Sequence, residues 1–294
     1  MIPIGWFGVG SGALADGEGV AAVAQTAESL GFESIWVGEH PVLIDPHAPP
    51  SPLPSHSELM DPVPVLAYAA ASTSRILLGT GIVILPLRNP VILAKELATV
   101  DVLSQGRLVV GIGVGYVPGE YDAIGVPFET RGRRASEWID ALRTLWRDDA
   151  PELRGDFVSF GGIQCRPQPH RAGGPPILAS GMSTAARRRA VTHCDGWYGF
   201  FQDLDNTRAA IAELDQLAGE VDRSPGLGPL EITVTPLPGP EPIDADTVKR
   251  YEDLGVDRLV LVQDFGDMAG GPDASRRGKF LDEMAACAER LDIH

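Results

Sequence analysis

Short apolar runs alternate with amphipathic runs along the whole chain. The first apolar run, Ile2 to Val9, precedes a helical pattern from Glu18 to Leu30. Further runs lie at Ser34–Val37, Arg75–Leu85, Arg107–Val114, Pro176–Ala179, Gly196–Phe201, Leu230–Val234 and Arg258–Val262, and nearly every one leads into a helical segment. Continuous apolar runs bounded by turn residues read as strands buried on both faces, and their alternation with helices reads as parallel βα units. Eight such units in 294 residues predict a single domain over 1–294, folded as a (β/α)8 TIM barrel. Such barrels carry their chemistry on the loops that follow the strands, so the strand ends are where reactive residues are to be sought.

Helix starts are signposted. Asp61-Pro62 and Asn89-Pro90 each supply a side-chain cap followed by proline at the first helical position. Ser183 can cap a helix from Thr184 to about Cys194, and Asp244 one from about Ala245 to Leu254. Gly31 and Gly255 stand where helices end. Trp138, Leu142, Leu145 and Trp146 share one helical face and predict core.

Two segments break the rhythm. From His40 to Pro64, after the second strand, proline occurs eight times, in a loop too long for an ordinary βα connection. It would lie over the strand C-termini as a wall or lid. Between Pro151 and Gly174, before the fifth strand, an alternating stretch at Asp156–Gln164 predicts a small hairpin insertion.

Composition narrows the function classes. The net charge of −16 repels phosphate backbones and anionic lipid, which argues against nucleic-acid and membrane partners. No apolar run approaches the roughly 18 residues that span a bilayer, and no secretory signal is evident. Cys165, Cys194 and Cys287 are scattered and lack metal-ligand spacing, as in a reduced cytoplasmic protein. The one dense basic run, Arg187 to Arg189, sits in a helical pattern and reads as a solvated or intersubunit face.

Four strand ends carry candidate chemistry. Glu39 and His40 close the second strand; an imidazole titrates near neutrality, and an adjacent carboxylate can orient it for proton transfer. Gly79 and Gly81 interrupt the third strand, where glycine implies a bulge, a close ligand approach or room for packing. Gly111, Gly113 and Gly115 precede Tyr116 at the end of the fourth. Their G-x-G-x-G spacing is no dinucleotide fingerprint, and Pro118-Gly119 argues that no helix opens directly behind it. These glycines can clear a flat surface for a planar ring. The fifth strand ends in Ser180-Gly181-Met182-Ser183, a turn opening a capped helix, which suits one phosphate. Trp197 and Tyr198 are either pocket walls or barrel core. His47 and His56 read as exposed, and His170 and His294 carry no signal.

At SIWVGEH, RILLGTGIVILPLRNP, GRLVVGIGVGY, PPILASGMS and DGWY the chain resembles the luciferase-like monooxygenase superfamily, from Ile2 to Val262. It is most similar to the branch that uses the deazaflavin coenzyme F420. The resemblance implies an F420-dependent oxidoreductase that passes hydride between the deazaflavin and a small organic substrate, with His40 and Glu39 assisting proton transfer. It implies that Glu39, His40, Thr80, Gly81 and Ile82 contact the cofactor, with a non-prolyl cis peptide at Gly81-Ile82 forming a bulge behind its central ring. Gly113, Gly115 and Tyr116 would line the ring, and Ser180, Gly181, Met182 and Ser183 would receive its phosphate. It also implies a possible homodimer.

Two departures qualify this. Tyr116 replaces the Glu of sugar-phosphate dehydrogenases in the branch, which argues against that substrate. Val114 stands where flavin-binding members can place an Arg, which favours F420 over FMN without excluding FMN. The competing readings are an FMN-dependent monooxygenase using reduced flavin and O2, a cofactor-binding protein without turnover, and a metal-dependent hydrolase using Glu39, His40 and His193.

Overall fold

The computed structural model describes residues 2–239, 241–262 and 265–293; His294 lies outside them. In chain order the elements are β1 (Ile4–Phe7), α1 (Gly17–Ser29), β2 (Ser34–Val37), α2 (Pro62–Ser72), β3 (Leu77–Ile84), α3 (Pro90–Leu103), β4 (Leu108–Gly113), α4 (Pro118–Ile124) and α5 (Arg131–Arg147). They continue with β5 (Leu153–Arg154), β6 (Ser159–Phe160), β7 (Ile177–Ser180), α6 (Thr184–His193), β8 (Gly196–Gln202) and α7 (Leu204–Glu220). The last are β9 (Glu231–Pro236), α8 (Ala245–Asp253), β10 (Arg258–Val262) and α9 (Ala274–Leu291).

Eight of these strands close a parallel barrel in the order β1-β10-β9-β8-β7-β4-β3-β2. β5 and β6 pair antiparallel outside it, as the small insertion ahead of the fifth barrel strand. The barrel strands are buried almost throughout, which is why their sequences run apolar instead of alternating. Asp61, Asn89, Ser183 and Asp244 all cap their helices through the side chain, because each oxygen accepts an otherwise orphaned N–H.

Two apolar clusters frame the barrel. The outer one joins strand backs to helices and includes Trp138, Leu142, Leu145 and Trp146 of α5. The inner one includes Trp36, Val109, Leu178, Tyr198 and Val260, which plug the barrel from within. Trp36 fills its layer because a neighbouring strand gives way: a Cβ on Gly79 would collide with the indole ring. Gly79 is thus a packing glycine. Trp197 and Tyr198 are both wholly buried and belong to the core.

Two local features shape the mouth. The β3–β4 register shifts between Thr80 and Val83, a bulge that includes a cis peptide between Gly81 and Ile82. Behind β4 a helix does open, contrary to the reading of Pro118-Gly119 as helix-free. Pro118 occupies the first turn of α4, where its missing N–H has no partner to lose, and Gly125 ends the helix in the left-handed region at φ 78°.

Candidate active site

The C-terminal ends of β1, β2, β3, β4, β7 and β8 surround a cavity of about 680 Å3 above the Trp36 plug. Its size is that of a site for a small molecule or cofactor. Pro52, Leu53 and Leu59 of the proline-rich loop form one wall, so this loop does border the cavity. Of the residues singled out from the sequence, Glu39, His40, Gly81, Ile82, Gly113, Gly115, Tyr116, Ser180, Gly181, Met182 and Ser183 all line it. Thr80 does not: it is fully buried, and its hydroxyl donates to the Gly111 carbonyl at 2.6 Å, pinning the bulge to β4.

His40 lies three residues beyond β2, and its Nδ1 is 3.0 Å from Oε1 of Glu120. Glu120 is wholly buried, and its Oε2 has no hydrogen-bond partner among the described residues. A carboxylate can only accept, so Nδ1 donates to it and Nε2 is the nitrogen left for a ligand. Tyr116 sets its ring edge-on to the imidazole, with centroids 5.9 Å apart. Partial burial and the nearby Glu120 carboxylate push the Tyr116 phenol above its ordinary range, so at neutral pH it keeps its proton and can donate it in a hydrogen bond.

Glu39 has a different office from the one expected. Its carboxylate accepts from the Ile84 N–H at 2.5 Å and from Arg88 Nε at 2.7 Å, with a second contact to Arg88 Nη2. Arg88 Nη2 also reaches Asp61 Oδ2 at 2.6 Å. Burial pushes the Glu39 carboxyl up, and the Arg88 guanidinium and the Ile84 N–H oppose that shift. Glu39 therefore ties the end of β2 to the far end of the β3 bulge, while the carboxylate on His40 is Glu120.

The β4 glycines serve the bulge as well as the cavity. A Cβ on Gly111 would strike the Thr80 carbonyl oxygen, and one on Gly113 would sit 2.7 Å from Ile82 Cδ1. Their missing side chains let Ile82 lie over β4 on the cavity wall.

At the β7 end, Gly181 has φ 137°, a conformation that other residues avoid, and a Cβ there would lie 2.6 Å from that of Ala186. The Ser183 hydroxyl caps α6 through the Ala186 N–H at 3.2 Å. The three arginines of α6 turn to its neighbours. Arg187 pairs with Glu213 and Arg188 with Glu220, both on α7, and Arg189 meets Gly132 and Ser136 on α5. His193 ends α6 beside Asp140, outside the cavity lining, and so is not gathered with Glu39 and His40.

Among the residues that escaped the sequence reading are Glu120, which sits behind His40, and the cavity residues Phe200 and Phe201. Glu120 was missed because α4 was missed, although proline at a first helical position was a usable signal. Phe200 and Phe201 were missed because a second register irregularity, between Phe200 and Gln202 on β8, sets which rings face the mouth. Nothing in the local sequence marks it.

Comparison with known proteins agrees with this architecture. A protein from Mycobacterium tuberculosis, named only as uncharacterised, is 32% identical over 281 residues, covering 92% of both chains. The oxygenase component of the flavin-dependent trigonelline monooxygenase of Acinetobacter baylyi is 33% identical over 171 residues, 58% of this chain and 44% of that one. The solved structure of an F420-dependent secondary alcohol dehydrogenase, in complex with an F420–acetone adduct, superposes with a TM-score of 0.75 at 17% identity, covering 99% of each chain. The model of the family described as luciferase-like monooxygenase matches residues 6–238. With most of the barrel inside that match, the chain belongs to the luciferase-like monooxygenase family.

Proposed function

We propose that this chain is an F420-dependent oxidoreductase acting on a small organic substrate at the barrel mouth. The observation that carries the choice of cofactor is the charge of the phosphate turn. Its donors are the N–H groups opening α6 and the Ser180 hydroxyl, and no Lys or Arg is among the described residues lining the cavity. A helix N-terminus offers about half a positive charge. That suits the singly charged phosphodiester of F420 better than the doubly charged phosphate of FMN, which calls for a cation partner.

The residues present fit a flat ring: Gly81 and Ile82 of the bulge, Gly113, Gly115 and Tyr116 would hold it, and Ser180 to Ser183 its phosphate. When bound, the deazaflavin supplies hydride transfer. The protein's own part is positioning and proton movement. His40 Nε2 takes the proton from a substrate hydroxyl, or returns it to a carbonyl oxygen, and Glu120 holds the ring and balances the imidazolium charge. The Tyr116 hydroxyl is a second donor toward the same oxygen.

The alternative is an FMN-dependent monooxygenase, and the trigonelline monooxygenase relative favours it. Fluorescence titration with F420 and with FMN separates the two. The proposal expects micromolar binding of F420 and at least tenfold weaker binding of FMN; tight binding of FMN alone refutes it.

A further inference from the structure

We infer that the substrate is a neutral, ring-containing compound with a single oxygen function, held against an aromatic wall of Phe7, Phe200 and Phe201. The inference rests on the oxidoreductase reading above and concerns the part of the cavity not assigned to the cofactor.

Charge is the first argument. The ionisable side chains lining the cavity, among the described residues, are Glu39, His40 and Tyr116. The Glu39 carboxylate is committed to Arg88 and the Ile84 N–H, and the Glu120 carboxylate behind His40 to the imidazole. A carboxylate or phosphate on the substrate would find no counter-ion there, and burying an unpaired charge is strongly unfavourable. The Glu39 carboxylate is paired with Arg88 and the Glu120 carboxylate lies behind His40, outside the lining, so a cation in the cavity meets no unpaired carboxylate on its wall among the described residues.

Shape is the second argument. At the end of β8, Phe201 takes φ 53°, a backbone conformation that bulky residues avoid and that concentrates at functional sites. The accompanying register shift re-aims the strand end, as bulges beside active sites do. Phe200 and Phe201 lie with centroids 4.2 Å apart and planes at 33°. Phe200 also meets Phe7 at 5.2 Å. Three clustered rings, all lining the cavity, offer both faces and edges to a cyclic ligand.

Polarity is the third. Leu53, Leu59 and Met268 line the cavity in the same apolar cluster as Phe7 and Phe200, and outside the turn assigned to the phosphate the uncommitted lining side chains able to bond a substrate oxygen are Ser11, His40 and Tyr116, the last two in ring contact. An oxygen can be recognised and turned over at His40 and Tyr116, and apart from Ser11 the side chains lining this part of the cavity are hydrocarbon or already paired.

Calorimetric binding to the full-length chain, with and without F420, tests this with five one-ring probes: acetophenone, 1-phenylethanol, benzoate, phenyl phosphate and phenyltrimethylammonium. The two neutral probes are expected to bind at least tenfold tighter than the three ions. Phe200→Ala should weaken acetophenone at least tenfold, and Phe200→Leu, which keeps an apolar side chain of intermediate size, by a smaller factor. Benzoate, phenyl phosphate or the ammonium binding as tightly as acetophenone, no binding by any probe, or an unaltered acetophenone affinity in both variants overturns the inference. F420 fluorescence titration on the same samples keeps the two claims apart. Neutral-probe preference without F420 binding sinks the cofactor assignment and supports the substrate class, whereas F420 binding without that preference does the reverse.

Discussion

Nδ1 of His40 meets Oε1 of Glu120 at 3.0 Å across eighty residues of sequence, and this contact sets which ring nitrogen faces the cavity. With the Glu120 carboxylate accepting from Nδ1, the arrangement suits the proton-transfer role proposed for this imidazole. His40→Ala should lower turnover by about 10²–10³ while cofactor affinity changes little. Glu120→Gln keeps the shape but removes the charge opposite the imidazolium, and should lower kcat by about 10². Steady-state kinetics beside cofactor titration checks both; a fall in cofactor affinity with kcat intact would assign the pair to binding instead.

Arg88 is half-buried between the buried Glu39 carboxylate and the exposed Asp61. Arg88→Met leaves the Glu39 carboxylate buried without its cation, and should cost about 3–5 kcal/mol in urea unfolding. Adding Glu39→Gln to the same chain removes the orphaned charge and should recover part of that loss. Equal stability of the single and double variants would show that Glu39 contributes nothing through its charge.

Two neighbouring glycines of β4 should respond differently to alanine. In Gly111→Ala the new methyl meets the Thr80 carbonyl, which is backbone, so about 1–3 kcal/mol of stability should be lost. In Gly113→Ala it meets the tip of Ile82, which can swing aside into the cavity. The second variant should therefore melt close to wild type but bind cofactor more weakly. Thermal melts and cofactor titration on the pair distinguish the two outcomes.

Glu28 gives the fold a pH dependence on the acid side. Partial burial pushes its carboxyl up, but N–H groups of Ile76, Arg75 and Ser74 and the Ser74 hydroxyl outweigh that and hold it at about 2, below the ordinary 4.5. A lowered carboxyl pKa stabilises the folded state at pH values above 4.5, and the contribution fades as pH falls toward 2. After allowance for solvent screening at this partly exposed site, it is worth about 1–2 kcal/mol. Glu28→Gln should lose that amount at pH 7 and little near pH 2, in denaturant titrations at the two values.

Much of this protein was legible in its sequence. Strand and helix positions follow from the period of the apolar residues, because a strand buried on both faces must be apolar throughout and a helix on the barrel's outside only along one stripe. Helix starts at Asp61, Asn89, Ser183 and Asp244 were readable because capping is a local exchange between one side chain and the next few N–H groups. The strand ends that hold His40, Gly81, Gly113 and Ser180 followed from the barrel itself.

What the tertiary structure alone decided are relations between distant strands. That Glu39 turns to Arg88 while Glu120 takes His40 depends on how α4 folds back over the mouth. That the glycines of β4 admit Ile82, and that Phe200 and Phe201 face the cavity, depends on register shifts on β3 and β8. Period and propensity report only on near neighbours, whereas partner choice and register arise from many weak contacts summed across the closed barrel.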